Sequence, residues 1–161
     1  MTPDPDDLAE KYLSAVEQFC ERVAKVAPDQ LDFRPDASTW SARDIAFHVA
    51  TVDQVLGLRL RKLIAEPNPT MGSMDLDAWS RALRPAHGDV GLALDSLRAT
   101  SALNIAVIEM LTPDLMKRTG MRREGHAISV RDLAAYLAIH IEAHIKQVGR
   151  VLSGRPVTRR G

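Results

Sequence analysis

The chain has 161 residues and a mass of 17.7 kDa, which is the usual size of one domain. Hydrophobic residues make up 45% and charged residues 26%, which excludes a disordered chain, a collagen-like chain and a coiled-coil rod. The 21 basic residues balance the 21 acidic ones, so no overall field attracts the chain to nucleic acid or to an anionic membrane, and we expect neither as a partner.

The N-terminal residues and the cysteine count predict a cytoplasmic protein. Cys20 is the single cysteine and cannot form an intrachain disulfide. The first residues have neither the basic start nor the apolar run of a secretory signal. No run of about 18 apolar residues occurs, so no segment is expected to span a bilayer.

Composition and hydrophobic spacing favour helices. Aromatic residues make up only 4% of the chain. The spacing predicts a first helix over residues 6–27, ended by Pro28, with an apolar face made of Leu8, Tyr12, Ala15, Val16, Phe19, Val23 and Val26. Ser41 and Asp44 have the spacing of a capping box and predict the start of a second helix. Its apolar residues, which recur until Pro67, are Ile45, Val49, Val52, Leu56, Leu60 and Leu63.

A long connection rich in proline and glycine follows over residues 66–89. It predicts one short helix over residues 75–83 in a crossover anchored by Trp79. A third helix is predicted over residues 89–111, with an inward face made of Val90, Leu94, Leu97, Ser101, Ile105 and Ile108.

The segment 113–128 is predicted to be a loop, most simply a solvated basic connector that carries Lys117, Arg118, Arg122 and Arg123. Ser129 and Asp132 form a second capping pattern and open a last helix over residues 130–152. Four long helices with one long middle connection predict a single all-α domain over residues 1–161, a four-helix bundle with a long crossover. The interior of such bundles commonly holds metal sites.

Two histidines lie in the middle of the apolar face of the last helix. A rotation of about 100° per residue aligns Leu133, Leu137, His140, His144, Gln147 and Val151. An unpaired polar ring in the interior costs about 1–3 kcal/mol, so each imidazole needs a partner. Histidines four residues apart can converge on one first-row metal ion. Two separate buried hydrogen-bond partners are the alternative explanation.

His48 is the third candidate ligand. It lies about 60° from the centre of the apolar face of the second helix, so it can face the interior. A lone buried histidine is most often a hydrogen-bonded core residue, and that alternative stays open here. A common level with His140 and His144 also requires an axial offset between the two helices.

The other histidines and short motifs carry less chemistry. His87 and His126 lie in connections and are expected to be solvent-exposed. The run from His140 to His144 is not the zinc-protease motif, because a glutamate would have to follow the first histidine directly, and Glu142 is expected in water. The sequence contains no glycine-rich phosphate loop, no Gly-x-Ser-x-Gly elbow and no cysteine cluster. Cys20 lies about 120° off the apolar face of the first helix and is interpreted as a small filler.

Three imidazole ligands would leave one coordination position for water or substrate. At such a metal, water titrates near neutral pH and a thiol binds as thiolate. Imidazole suits zinc, nickel, iron and copper alike, so these ligands do not select the metal. Tyr136 and Gln147 flank the histidine pair and are candidates for contacts to the ligands or to substrate, with ordinary packing as the alternative.

Three short motifs connect the chain to a known family: Trp40-Ser41 before a helix, His48 within that helix, and the distal pair His140 and His144. Together they resemble the DinB superfamily of DinB/YfiT-like metalloenzymes. The resemblance implies an up-down-down-up four-helix bundle, often a dimer, in which these three histidines hold one divalent metal, commonly zinc or nickel. It also implies thiol chemistry, because characterised relatives include bacillithiol S-transferases and mycothiol-dependent maleylpyruvate isomerases. The isomerase branch has a glutamate where this chain has His140, so isomerase activity fits less well.

The leading hypothesis is a metal-dependent S-transferase that joins a low-molecular-weight thiol to a small electrophile. The basic segment from Lys117 to Arg123 would hold the carboxylates of the thiol if it folds over the site. One alternative is a non-enzymatic bundle that binds metal or a small ligand, for instance in a stress response. The other is an interaction protein whose histidines only close a polar core.

Overall fold

The computed structural model describes residues 4–83, 88–121 and 125–154. Its elements in chain order are α1 (Pro5–Ala24), α2 (Ala42–Ala65), α3 (Leu76–Ala82), α4 (Val90–Glu109), α5 (Pro113–Lys117), β1 (Thr119–Met121), β2 (Ala127–Ser129) and α6 (Val130–Leu152), with a 3-10 turn (Pro28–Gln30) between α1 and α2.

The long helices α1, α2, α4 and α6 form the predicted bundle. Both α1 and α2 pack against α4 and α6, so α1 and α2 lie diagonally across the bundle. The buried apolar faces of all four helices make one hydrophobic core. Within the described ranges, no helix has the length and apolar character needed to cross a membrane.

The bounds of the long helices agree closely with the predicted ones, and those of α6 match them. Full capping boxes start α2 and α6: each serine side chain accepts from a backbone N–H three residues on, and the aspartate there accepts from the serine N–H. At the start of α2, Asp44 Oδ2 also accepts a hydrogen bond from Arg34 Nη2 at 2.8 Å. These caps determine where α2 and α6 begin and therefore which residues face the core.

The prediction that residues 113–128 form a loop is wrong. They contain the helix α5, capped by the Thr112 side chain, and the antiparallel pair β1 and β2. The crossover continues this small sheet, because Met71 N donates to Met121 O at 2.8 Å and Met121 N donates to Pro69 O at 3.0 Å. Elements this short contain too few residues for hydrophobic periodicity to identify them.

The crossover also differs from the prediction in its anchor. A short helix is present, as expected, but the Trp79 side chain is 41% exposed and does not anchor it. The helix α3 packs on α2 instead, and Ser80 forms a hydrogen bond to a residue of α2. A large apolar side chain is a good sign of burial only where a second element covers it, and the described residues do not bury Trp79.

A buried polar network links α1, α2 and α4. Tyr12 Oη donates to Asp53 Oδ1 at 2.6 Å, and Asn104 Nδ2 donates to Asp53 Oδ2 at 3.4 Å and to Tyr12 Oη at 3.3 Å. Arg61 Nη1 donates to Asn104 Oδ1 at 2.6 Å. Partners for each of these polar groups remove most of the cost of burying them.

Gly57 on α2 makes room for this network, and replacing it should destabilise the fold. An added Cβ would lie 2.3 Å from Asn104 Oδ1, which belongs to a buried side chain held by hydrogen bonds. We expect Gly57→Ala to lower the free energy of unfolding by about 1–3 kcal/mol, because this overpacking outweighs the gain in helix propensity. Urea denaturation measures the change.

Gly149→Ala on α6 is the matched control. Its added Cβ would meet the end of the flexible Arg22 side chain, which can move away. This variant should be as stable as wild type or gain up to about 1 kcal/mol from helix propensity. Equal losses in the two variants would contradict the packing role of Gly57.

The carboxyl group of Asp53 should make stability depend on pH. Burial raises the pKa of Asp53 from 3.8 to about 7, against the opposing effect of the Tyr12 hydrogen bond. The folded state therefore holds this proton at pH values where the unfolded state has released it, so stability falls as the pH rises from about 4 to about 7. From pH 5 to pH 8 we expect a loss of roughly 2–3 kcal/mol from this group alone.

The variant Asp53→Asn isolates that contribution. Between the same two pH values, the stability of wild type relative to the variant should drop by this amount, measured by urea unfolding in the presence of a metal chelator. A wild-type protein that gains stability relative to Asp53→Asn over this interval would contradict the raised pKa.

Candidate metal centre

The structure brings the three predicted histidines together. His48 comes from α2, and His140 and His144 come from α6. One ligand atom from each lies within 4.8 Å of the others. The ring centroids are 4.5 Å apart for His140 and His144, 4.8 Å for His48 and His144, and 5.5 Å for His48 and His140. The axial level of His48, which the sequence left open, therefore matches that of the pair.

Each end of the cluster has a hydrogen-bond partner outside it. Gln147 Oε1 lies 2.7 Å from His144 Nδ1, so Gln147 contacts one of the candidate ligands. A carboxamide oxygen only accepts, so His144 Nδ1 carries the hydrogen and Nε2 keeps its lone pair. That nitrogen is 3.1 Å from His140 Nε2. His48 Nδ1 lies 2.7 Å from Ser80 Oγ on α3.

Burial keeps the three imidazoles neutral. It lowers the pKa of His48 to about 3 and that of His140 to about 2, and neighbouring imidazoles add to both effects. Burial also lowers the pKa of His144, against the opposing effect of the hydrogen bond to Gln147. A neutral imidazole is the form that donates a lone pair to a metal ion.

Trp40 covers one side of the cluster. Its ring centroid lies 4.5 Å from that of His48 and 6.3 Å from that of His144, and its plane is nearly parallel to His144, at 9°. Trp40 directly precedes the Ser41 cap of α2, so the cap also positions this ring. The sequence identified Trp40 only as part of a family motif. Helical spacing gives no information about the position of a residue that lies outside the helix.

The donor set fits a divalent cation. The neutral imidazoles converge, and the lone pair of His144 Nε2 points towards His140. At 3.1 Å, the Nε2 atoms of His144 and His140 have either a hydrogen of His140 or a cation between them. Three imidazole nitrogens are a common ligand set for first-row metals and leave a position for water or substrate.

A cavity of about 660 Å³ opens beside the three histidines, a typical volume for a small-molecule site. Apolar side chains form much of its wall, and the other residues are polar or charged. Outside the histidine cluster, the wall includes Val52, Leu56, Arg59, Asp77, Leu133 and Tyr136.

Tyr136 lies where a contact to substrate is feasible. Its side chain is 44% exposed and lines the cavity, with its ring centroid 6.0 Å from that of His140. Its predicted role in substrate contact stays a prediction. Arg59 and Asp77 were not recognised from the sequence, because Arg59 is one of two arginines near the end of α2 and Asp77 lies in the crossover.

The basic segment does not reach the cavity through its described residues. Lys117 Nζ pairs with Asp114 at 3.6 Å. Arg118 donates to the backbone oxygens of Leu63 and Glu66 and so caps the end of α2. Neither side chain lines the cavity. The predicted residues Arg122 and Arg123 lie outside the described ranges.

Three of the remaining candidates can be compared with their expected roles, and His87 cannot. His126 is exposed and lines the cavity, and His87 lies outside the described residues. Glu142 pairs with Lys11 of α1 at 3.8 Å and is absent from the histidine cluster, which supports the argument against a peptidase motif. Cys20 is buried, with 2% exposure, and burial raises the pKa of its thiol, as expected of a filler.

Comparison with known proteins agrees with this geometry. A sequence model of the DinB superfamily matches residues 6–148. The chain belongs to the DinB superfamily. One relative, from Oceanobacillus iheyensis, is provisionally named as a metal-dependent hydrolase. It is 22% identical over 151 residues, which are 89% of this chain and 84% of the relative.

Solved structures share the DinB-type fold. YfiT from Bacillus subtilis, provisionally described as a metal-dependent hydrolase with an unusual four-helix bundle topology, has a TM-score of 0.80 at 21% identity. The match covers 92% of this chain and 87% of YfiT. A mutant of a mycothiol-dependent maleylpyruvate isomerase has a TM-score of 0.72 at 9% identity, over 91% of this chain and 61% of the isomerase. At these identities the likeness establishes the fold alone.

Metal binding is the first property to measure. We expect the untagged protein to bind one divalent ion per chain when titrated with Zn²⁺ or Ni²⁺ after treatment with a chelator. Removing one imidazole from the set should weaken binding in His140→Ala and His144→Ala by at least about 100-fold, because fewer nitrogens remain to hold the ion.

The variant Glu142→Ala is the matched control, since Glu142 lies between the two histidines on the same helix and pairs with α1 outside the cluster. Its affinity should equal that of wild type. Metal bound equally by wild type and His144→Ala would exclude this cluster as the binding site. Isothermal titration calorimetry and elemental analysis provide the measurements.

Proposed function

We propose that the chain is a metal-dependent enzyme in which His48, His140 and His144 hold one divalent ion, and that it transfers a low-molecular-weight thiol to a small electrophile. The convergence of three neutral imidazoles beside a cavity of about 660 Å³ carries the proposal. When bound, a divalent cation lowers the pKa of a coordinated thiol or water and so supplies a nucleophile at neutral pH.

The metal part of the proposal rests on the donor set. Burial lowers the pKa of all three histidines, so protons compete weakly for their lone pairs at neutral pH. Imidazole binds zinc and nickel well, and both are compatible with these ligands. The names of the sequence relative and of YfiT as metal-dependent proteins support the same conclusion.

The cavity wall supports a small organic substrate. Its apolar part, with Val52, Leu56 and Leu133, suits the hydrocarbon part of an electrophile. Arg59 is the cavity residue best suited to hold a carboxylate, as it carries a guanidinium group. This assigns to Arg59 the role that the sequence suggested for residues 117–123.

The proposed reaction is a substitution at carbon in which the thiol also gives up its proton. The sulfur of the thiol attacks an electrophilic carbon, a carbon–sulfur bond forms, and the leaving group departs with the electron pair of its bond. Asp77 lines the cavity and opposes the fall in the pKa of His144 through its charge. We assign to its carboxylate the role of accepting the thiol proton.

Hydrolysis is the second candidate function. The provisional names of the relative and of YfiT favour it, and the same ligands would serve water as the nucleophile. The thiol-dependent isomerase that shares the fold favours thiol chemistry. The two candidates differ in the nucleophile, so an experiment that varies the nucleophile separates them.

The test incubates metal-loaded protein with 1-chloro-2,4-dinitrobenzene and, in turn, cysteine, glutathione and an amino-sugar thiol. We expect conjugation that needs both metal and thiol, monitored by absorbance. Activity should fall at least about 100-fold in His144→Ala, because loss of the metal removes several kcal/mol of transition-state stabilisation. It should persist in Glu142→Ala.

A parallel assay with p-nitrophenyl esters contains no thiol. Metal-dependent ester cleavage without any thiol conjugation would replace the transferase by a hydrolase. Metal binding without turnover in either assay would favour the non-enzymatic metal-binding bundle.

A further inference from the structure

We infer that Ser80 is a positioning residue that fixes the tautomer of His48, so that a hydroxyl group from the crossover prepares one ligand of the metal centre. The inference rests on the proposed metal site and extends it to a residue outside the bundle. Ser80 belongs to α3, whereas the three histidines belong to α2 and α6.

Ser80 forms two side-chain hydrogen bonds, and their directions can be assigned. Its Oγ donates to the backbone oxygen of Leu76 at 2.8 Å, one turn earlier in α3. A serine hydroxyl has a single hydrogen, so this bond occupies its only donor. Its lone pairs remain to accept a hydrogen bond.

The hydroxyl of Ser80 determines which ring nitrogen of His48 carries the hydrogen. Ser80 Oγ lies 2.7 Å from His48 Nδ1, so the oxygen accepts and Nδ1 donates. The hydrogen of the neutral ring is then on Nδ1, and Nε2 keeps the lone pair. Ser80 therefore selects the tautomer that offers Nε2 as the donor atom to an ion.

His144 on α6 has a hydrogen-bond partner at the same ring nitrogen as His48 on α2. On α6, Gln147 Oε1 accepts from His144 Nδ1 at 2.7 Å and selects the same tautomer there. The partner of His144 comes from its own helix, three residues on, whereas the partner of His48 lies 32 residues further along the chain. Partners of this kind orient metal-bound histidines, and their loss typically lowers metal affinity by about 10–100-fold.

His48 needs such a partner more than an exposed histidine would. His48 is only 5% exposed, so water cannot readily replace the Ser80 hydroxyl. Without Ser80 the ring could place its hydrogen on Nε2, which would remove the lone pair from the cluster. The hydroxyl thus acts on metal affinity through His48 rather than by touching the ion.

The test compares Ser80→Thr with Ser80→Val, two side chains of nearly equal shape that differ in the hydroxyl group. Threonine on a helix can keep the hydrogen bond to the carbonyl four residues earlier and still accept from His48. We expect Ser80→Val to bind Zn²⁺ about 10–100-fold more weakly than wild type, and Ser80→Thr to restore most of that affinity. Competition with a chromogenic chelator measures both.

Nitrogen NMR of the metal-free protein gives a readout that does not depend on metal. In ¹⁵N-labelled wild type and Ser80→Thr, the His48 ring should carry its hydrogen on Nδ1, and in Ser80→Val it should shift towards the other tautomer or a mixture. A loss of affinity caused only by a displaced α3 would be equal in the threonine and valine variants and would leave the His48 tautomer unchanged.

The outcomes separate this inference from the proposed function. Equal Zn²⁺ affinity in wild type and Ser80→Val would overturn the role of Ser80 and leave the metal site intact. A hydrogen on Nε2 of His48 in the wild type also overturns it. Wild type that binds no metal removes the proposed function, and this inference with it.

Discussion

Three uncharged imidazoles meet at the interface between α2 and α6, and their burial is the constraint on which the site depends. Exposed histidines would spend part of their time protonated near neutral pH and would repel a cation. Here the core of the bundle covers much of the rings, Trp40 packs over two of them, and Ser80 and Gln147 form hydrogen bonds to the outer nitrogens of His48 and His144. The bundle therefore provides both the meeting point and the protonation state that ligation requires.

The part of the site that lies on one helix could be predicted from the sequence. His140 and His144 share a face because the rotation per residue of a helix is fixed, and the Ser129 cap indicates where that helix begins. The level of His48 along the neighbouring helix could not be predicted, because it depends on how α2 and α6 pack. The same reasoning applies to the bundle: its long helices follow from periodicity, whereas the diagonal relation of α1 and α2 is a tertiary property.

The crossover and residues 113–128 were the hardest parts to predict. Their helices and strands are short, so they have little periodicity, and their side chains act through partners distant in sequence. Arg118 could be counted as a positive charge but not recognised as a cap for α2. Trp79 drew attention by its size, while the neighbouring Ser80, which looks ordinary in the sequence, forms the hydrogen bond to the site. Polar contacts between elements leave no local pattern, so they become visible only in three dimensions.

The burial of Cys20 determines how the protein would respond to oxidised thiols under the proposed function. This is the only sulfhydryl of the chain, and it lies in the core, where burial raises its pKa and disfavours the reactive thiolate. Under the proposed thiol transfer, the protein would also meet the disulfides of its thiol substrate, and an accessible cysteine would be captured by exchange with them. Because Cys20 is buried, oxidation of the thiol pool would deplete the proposed cosubstrate but leave the polypeptide without a covalent adduct.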